Sequence, residues 1–371
     1  MKNVLISASV IAMGAGSAFA GGIDRSGQGI GALFEKGNYA ELSFGMVNPS
    51  VSGVDLLGRS TQNVAGDYFS FGFAYKADIN DQLSYAIIMD QPFGADVNYP
   101  TAAAGGSVLL GGTLAKTTVT GLTTILRYKF SDRFSVHGGL RAQHASGDVR
   151  LSGLAYGGFN GYNVSLDDDI GVGYLVGVAY EIPDIALRVA LTYNSEVTHE
   201  LDTVERVGPV QIAPASVTEV NTPDSVNLDF QTGIAEGTLL FGQIRWVDWS
   251  EFKIDPVRFT TLAGGGLVDL EDSVTYTIGV GRKFNDMWSG AASVSYEDKG
   301  DPLVSPLAPT TGRLGLTLAA VYTQDNMKIT TGINYTKLGD AQPETGTPDT
   351  ARANMTDNSA VGVGVRIGFS F

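Results

Sequence analysis

Residues able to carry proton-transfer or nucleophilic chemistry are sparse in this chain. Imidazoles occur only at His137, His144 and His199. No histidine pair has metal-ligand spacing on one element, and no Gly-x-Ser-x-Gly turn raises a serine as a nucleophile. There are 0 cysteines, which removes thiolate chemistry and any disulfide framework. Asp167-Asp168-Asp169 sits at the end of a long connection and offers the hard oxygen donors a divalent cation takes. It lacks the spaced ligands and turn glycine of a calcium loop, and reads as a solvated or lipopolysaccharide-facing acidic patch. No cofactor, no metal site and no enzymatic activity are expected. Arginine is the more informative charge. Arg127, Arg141, Arg188, Arg245, Arg313 and Arg366 fall on the polar parity of the strands that carry them. A guanidinium can hold a carboxylate bidentately, and most of these six should pair with Glu181, Asp229 or Glu297. His137 shares the parity of Arg141, whereas His144 has the opposite parity, so His137 reads as a lining residue and not as a catalyst.

The elements that position these side chains are strands. In the stretch 360–371, Val361, Val363, Val365, Ile367, Phe369 and Phe371 alternate with Ala360, Gly362, Gly364, Arg366, Gly368 and Ser370. Successive strand side chains point to opposite faces, so one face is apolar and the other small or polar. The same period recurs at 69–76, 170–180, 274–281, 313–318 and 328–336. A soluble sandwich needs bulk on its inner face. Here the bulky face is too continuous to be an interior, which places it outward against lipid, around a polar lumen. The spans 38–48, 67–77, 82–99, 116–130, 133–150, 169–182, 185–202, 224–235, 237–250, 272–284, 287–298, 311–323, 327–338 and 360–371 give about fourteen strands, many long enough for the roughly 9–11 residues of a tilted membrane crossing. Short turns rich in Asp, Asn, Gly and Pro alternate with long connections at 49–66, 100–115, 151–168, 203–223, 251–271, 299–310 and 339–359. The expected fold is therefore an all-β transmembrane antiparallel barrel over 39–371. An even strand count puts both termini on the short-turn, periplasmic side. Tyr75, Tyr128, Phe130, Phe134, Tyr180, Phe284, Trp288 and Tyr322 near the turns, and Tyr193, Trp246, Trp249, Tyr296 and Tyr335 toward the loops, fit two interfacial girdles.

Composition agrees with export to an outer membrane. Lys2, an apolar stretch over 4–15 and Ala18-Phe19-Ala20 form a signal peptide over 1–20. The following 21–38 is a short N-terminal plug in which Gly27, Gly29 and Gly31 flank Gln28 and Ile30. The formal net charge of −15 disfavours nucleic acid as a partner. No apolar window after residue 20 approaches the about 20 residues of a spanning helix. The expected partners are a hydrophobic small molecule, outer-membrane lipid and lipopolysaccharide, and the barrel-assembly machinery, with the chain a monomer.

Two stretches break the regular pattern. The connection 100–115 carries no charge and includes Val108, Leu109, Leu110 and Leu114. Contiguous exposed apolar surface marks binding sites, so Val108, Leu109 and Leu110 are candidate substrate contacts, although the loop could equally pack over the barrel mouth. In the third strand, Gln91-Pro92-Phe93-Gly94 interrupts extended sequence. Proline cannot donate to a ladder, and lipid offers no replacement partner. The interruption is either the end of the span or a defect in the wall.

These stretches resemble a known family. MDQPFGADVNYP (89–100) resembles the Pro-Phe-Gly segment on the third strand of the FadL family (OmpP1/FadL/TodX), outer-membrane transporters for long-chain fatty acids and other hydrophobic compounds. LTTILRYKFSDRFSVHGGLRAQHASGDVRL (122–151) resembles its following hairpin. PDSVNLDFQTGIAEGTLLFGQIRWVDWSEF (223–252) is similar to its segment ending in a Trp-Ser pair, here Trp249-Ser250. The likeness covers most of the chain after the signal. It implies a barrel with an N-terminal plug, ligand capture at extracellular loops, and lateral exit at a kink formed by Gln91, Pro92, Phe93 and Gly94. It also implies that Arg150, where the fifth strand nears the ligand pocket, joins Arg141 as a substrate contact. The family's Asn-Pro-Ala plug element is absent and the plug is short. That departure keeps a general diffusion porin with a water-filled lumen as the alternative.

Overall fold

The structure is a computed structural model that describes residues 23–371; the expected signal sequence at 1–20 lies outside the described residues. Its body is a closed antiparallel barrel of 14 strands. These are β1 (Tyr39–Ser50), β2 (Tyr68–Asp78), β3 (Leu83–Asp90, resuming as Gly94–Asn98), β4 (Leu114–Lys129), β5 (Phe134–Leu151), β6 (Tyr162–Ile182) and β7 (Leu187–Asn194, resuming as Val197–Val207). They continue with β8 (Ser216–Thr222, resuming as Ser225–Ala235), β9 (Thr238–Val247), β10 (Ser273–Lys283), β11 (Trp288–Glu297), β12 (Arg313–Gln324), β13 (Met327–Leu338) and β14 (Ser359–Ser370). Closure comes from β1 pairing β14 from Tyr39↔Ser370 to Ser50↔Ser359. A closed sheet leaves no edge to satisfy in lipid.

The alternation read from sequence sets the two faces. On β14, Val361, Val363 and Phe369 are exposed while Ala360 and Arg366 are buried inside. On β6, Ile170, Val172, Tyr174, Val176 and Val178 all face out. All six arginines read as inward are buried in the lumen. Aromatic pairs ring the short-turn end: Phe134 with Tyr180 at 4.8 Å, Trp288 with Tyr322 at 5.0 Å, and Tyr128 with Phe130 at 5.1 Å between centroids. Trp249 does not belong to the girdle at the other end. It is fully buried inside, packed on Phe93 and Phe252.

Strands β6, β7 and β8 rise further than their apolar pattern indicates. The expected connection at 203–223 is largely strand, and that at 151–168 becomes strand from Tyr162 onward. Above the apolar band a strand meets water on its outer face, so polar residues such as those of Val197–Val207 erase the signal that alternation gives against lipid. Inward parity also switches along each of the three strands. On β6 it passes from Tyr162, Val164 and Leu166 to Leu175 and Ala179. On β7 it passes from Arg188, Ala190, Thr192 and Asn194 to Ser195, Val197, His199 and Leu201. Asp167-Asp168-Asp169 is therefore not at a loop end. It lies within β6, beside the register shift between Ala145/Gly147 on β5, where a bulge turns the strand.

Two buried apolar clusters fill the barrel. The smaller surrounds the turn of 3-10 helix Gly31–Phe34, with Leu33 packed among Tyr39, Ala74, Ala86, Ile88, Ile125 and Leu175. The larger lies toward the long loops and includes Phe93, Tyr99, Leu110, Trp249, Phe252 and Phe259. A loop helix, α1 (Val257–Ala263), is held over it by Glu205. The Glu205 carboxylate accepts the N–H groups of Arg258 (2.8 Å) and Phe259 (2.7 Å) and the Tyr162 hydroxyl (2.9 Å).

Leu318, 50% exposed on the outer face midway along β12, tests the sidedness. Leu318→Arg should destabilise the barrel by about 2–4 kcal/mol in reversible unfolding from lipid vesicles. The inward neighbour substitution Thr317→Ser should be nearly silent.

Candidate functional site

The third strand is where the wall departs from regularity. Its pairing with β4 runs to Asp90↔Gly121 and resumes at Gly94↔Thr118. Gln91, Pro92 and Phe93 thus oppose only Val119 and Thr120, which makes a bulge. Proline is tolerated there because it has no N–H to leave unpaired. On the other side, β2 pairs β3 only from Asp78↔Ser84 up to Phe73↔Met89. Residues Tyr68 to Gly72 keep their pairing to β1 but have no strand partner toward β3 until the bridge Ala65↔Val97. A seam therefore opens between β2 and β3. The Phe71 N–H at this edge donates to the Gln91 side-chain Oε1 at 3.3 Å, so Gln91 stands in for the missing ladder.

The inward side of the bulge is paired by the N-terminal segment. Arg25 N–H donates to the Pro92 carbonyl at 2.8 Å, and Gly94 N–H donates to the Ile23 carbonyl at 2.9 Å, around the Asp24↔Phe93 bridge. The segment is anchored across the lumen. Arg245 donates from Nε to Asp24 Oδ2 (2.8 Å) and from Nη2 to Asp24 Oδ1 (3.1 Å), a two-pronged contact with both side chains buried. Gln28 Oε1 accepts from the Ser225 hydroxyl (2.7 Å), and Asn227 Nδ2 donates to the Gly27 carbonyl (2.9 Å). Gly27, at φ 63°, supplies the left-handed turn that exposes this carbonyl. Ser26 donates to Asp90 Oδ2 at 2.5 Å. Further down, Phe34 lies between the guanidinium groups of Arg127 (4.5 Å) and Arg188 (4.4 Å), contacts each worth about 0.5–2 kcal/mol. Arg127 is also bonded to Glu181, and Arg313 pairs with Glu297 at 3.3 Å.

This segment divides the lumen into two chambers. On the long-loop side is an apolar cavity of about 60 Å³. Ile23 forms part of it, with Ala95, Val119, Leu201, Phe252 and Leu307 among its walls. On the short-turn side is a cavity of about 230 Å³ whose lining includes Asp24, Asp90, Asp229, Arg188, Arg245 and Arg366. The second cavity reaches the seam, touching Phe71, Phe73, Met89 and Gln91.

The residues singled out from sequence separate into three groups. Gln91, Pro92, Phe93 and Gly94 form the bulge and seam. Leu110 is fully buried in the larger cluster with Leu109 packed against it, the Val108 and Leu109 carbonyls accept the N–H groups of Leu154 and Ala155 in the 3-10 helix Leu154–Phe159, and none of the three lines the apolar cavity. Arg141 faces inward but is engaged with Thr123 (2.9 Å) and Asn194 (3.1 Å), and it lines neither cavity. Arg150 is exposed on the face of β5 opposite Val149 and Leu151; strand parity turns it away from the lumen and out of reach of a ligand there. Among the described residues no group of three acidic or histidine side chains is placed to hold a metal ion, Asp167-Asp168-Asp169 included. Sequence reasoning missed Asp24, Arg25 and Asp55. Asp24 and Arg25 lie in a stretch with no periodicity, and their roles appear only through contacts distant in the chain, from Tyr68 and Phe93 to Arg245.

Asp55 is what holds the apolar loop. Its carboxylate accepts the Ser107 hydroxyl (2.7 Å) and the N–H groups of Val108 (3.0 Å), Leu57 (3.0 Å) and Arg59 (2.9 Å). Burial pushes its pKa up, but the Ser107 hydroxyl and these backbone donors outweigh it and hold the carboxyl below its ordinary value. A depressed folded-state pKa stabilises the docked loop fully above the unfolded value of about 3.9 and loses that stabilisation as pH falls through the lower folded value. Amide-exchange protection of Val108 and Leu110 should accordingly be flat from neutral pH to about pH 4 and fall below it. Asp55→Asn should show weakened protection with no such acid step. A second expectation concerns the anchor. Arg245→Ala leaves Asp24 buried without its cation, a change that costs about 3–5 kcal/mol. Trypsin should then cleave after Arg25 in the assembled barrel, and bilayer conductance should rise as the lumen empties. An uncleaved, non-conducting variant would show that the segment is held by other contacts.

Comparison with solved structures places this geometry. The fold matches a Pseudomonas aeruginosa FadL homologue at TM-score 0.75 and 15% identity, covering 92% of each chain. It matches the Pseudomonas putida toluene transporter TodX at TM-score 0.65 and 15% identity, covering 92% of this chain and 94% of that one. It matches the Ralstonia pickettii toluene transporter TbuX at TM-score 0.63 and 13% identity, again covering 92% and 94%. No curated protein matches the chain. Residues 37–371 match the family described as outer membrane protein transport protein (OMPP1/FadL/TodX), and the chain belongs to that family of outer-membrane β-barrel transporters.

Proposed function

We propose that this protein takes up hydrophobic compounds across the outer membrane by passive transport, with capture among the extracellular loops and release sideways through the seam between β2 and β3. The observation that carries the proposal is the interrupted pairing above Phe73↔Met89, with a lumenal cavity reaching Phe71 and Gln91 at the break. The relatives named for toluene transport support the ligand class. Long-chain fatty acids and single-ring hydrocarbons both belong to it.

Physical chemistry favours a lateral path. An apolar ligand in the upper cavity meets mostly apolar walls. Continuing down the axis would take it past Arg188, Asp229, Arg245 and Arg366, where it would displace groups that must stay hydrated or paired. Sideways, it leaves into hydrocarbon. The N-terminal segment also fills the lumen where a general porin would hold water, which disfavours the porin alternative. The upper cavity of about 60 Å³ is smaller than the roughly 150 Å³ apolar cavity that accepts benzene. Entry of a ligand therefore spreads the loops or displaces Ile23. In this reading both termini are periplasmic, which an even number of strands supports, and the protein works as a monomer without an enzymatic step.

Continuing the register, Phe71 and Gln91 would be the next cross-strand pair on the same face as Phe73↔Met89, and the chain contains 0 native cysteines. A Phe71→Cys/Gln91→Cys variant should assemble normally, lose uptake of a fluorescent hydrophobic probe when oxidised, and regain it on reduction. Undiminished uptake by the oxidised, correctly folded variant would rule out exit through this seam.

A further inference from the structure

We infer that Arg25 is a carboxylate-recognising residue at the lateral seam, so that the preferred ligands are hydrophobic acids and not neutral hydrocarbons. The inference rests on the seam as the exit route and adds to it the chemical class of what is recognised there.

Arg25 comes from the N-terminal segment, but its side chain reaches the broken wall. The guanidinium carbon lies 4.1 Å from the centre of the Tyr68 ring on β2. On its other side is Gly94 of β3, where a Cβ would come within 2.6 Å of the same carbon. Glycine at 94 is thus required for the guanidinium to lie flat between the two strand edges. The stack occupies both faces of the planar group and leaves the buried Nε–H at its edge without an acceptor. Arg25 is 8% exposed, its Nε has no hydrogen-bond partner, and the guanidinium makes no ion pair within the described residues. Asp96, the carboxylate that acts on it electrostatically, stays beyond ion-pair distance.

Other lumen arginines differ. Arg127, Arg141, Arg245, Arg313 and Arg366 each meet a carboxylate or a side-chain oxygen. Arg188 is stacked on Phe34, away from the seam. A buried cation with donors unmet is costly, and the cost falls when a carboxylate arrives to accept two parallel N–H bonds. Arg25 lines the lower cavity, and that cavity touches the seam at Phe71 and Gln91. A ligand lying there can present its headgroup to Arg25 while its apolar part faces the lipid side. Pairing with the headgroup competes with the Tyr68 stack, and so loosens the contact that bridges the two strands.

Equilibrium binding tests this without depending on transport. Trp249 packs on Phe93 at 5.6 Å beside the bulge, so a Trp246→Phe/Trp288→Phe background leaves it as the sole fluorescent reporter. Dodecanoate and dodecan-1-ol are titrated at neutral pH. Arg25→Gln should weaken dodecanoate binding at least tenfold and change dodecan-1-ol binding less than twofold. Arg25→Lys, which keeps the charge but not the fork, should recover part of the dodecanoate affinity. Equal losses for both ligands, or no loss for dodecanoate in a barrel that retains its folded electrophoretic mobility, would overturn the assignment. The oxidised Phe71→Cys/Gln91→Cys protein separates the two claims. Retained selectivity for the acid with undiminished uptake would remove the lateral exit while keeping Arg25 as the headgroup site.

Discussion

The structure depends on one constraint: in a barrel bathed in lipid, a strand cannot release backbone groups without another partner taking them. β3 releases the Pro92 carbonyl and the Gly94 N–H, and the N-terminal segment takes them through Arg25 and Ile23. That substitution decides much else. The segment must lie across the lumen, so the lumen becomes two chambers. It must be held there, so a buried Asp24–Arg245 pair and the amides of Gln28 and Asn227 are committed to it. A buried ion pair is weak evidence of stability taken alone. Its effect here is positional, because the pair sets where the segment crosses and therefore where the wall is sealed and where it is not.

The distribution of polarity follows from the same arrangement. Below the segment the inward face carries arginines and carboxylates in contact with each other and with hydroxyl groups. Above it the inward faces of β4 to β8 carry Ala, Val and Leu, and loop residues such as Phe252 and Ile254 close the chamber. An apolar solute is stable in the upper chamber and unstable in the lower. The break in the wall opens on the charged cavity, which Phe71 and Gln91 line. Two buried carboxylates organise the loops: Asp55 gathers the apolar loop, and Glu205 docks α1.

Much of the barrel was legible because its strongest signal is local. A strand crossing lipid must show bulk on every second residue, and β14, β10 and the stretch of β6 from Ile170 do so. The site was legible only where a residue type is itself restrictive. Pro92 cannot donate a ladder bond, so the stretch Gln91-Pro92-Phe93-Gly94 announced a defect in the wall. Arg150 was named from the family resemblance alone; the parity that turns Arg141, Val149 and Leu151 inward on β5 turns it outward. Trp249 was assigned to a girdle because aromatic side chains look alike in sequence whether they face lipid or a core. The upper halves of β6, β7 and β8 were read as loops because water on their outer face removes the alternation.

By itself, then, the sequence determined the class of fold, the count of crossings, the inward parity of six arginines and the position of the break. Each of these follows from nearest-neighbour rules: side-chain alternation, turn chemistry and the missing N–H of proline. Only the tertiary structure decided what fills the break. The pairing of residue 24 with residues 93 and 245, the stacking of Arg25 between β2 and β3, and the docking of Val108 on Asp55 join segments with no common local pattern. Such contacts are selected by the shape and unmet hydrogen bonds of the closed barrel, and those exist only once the chain has folded.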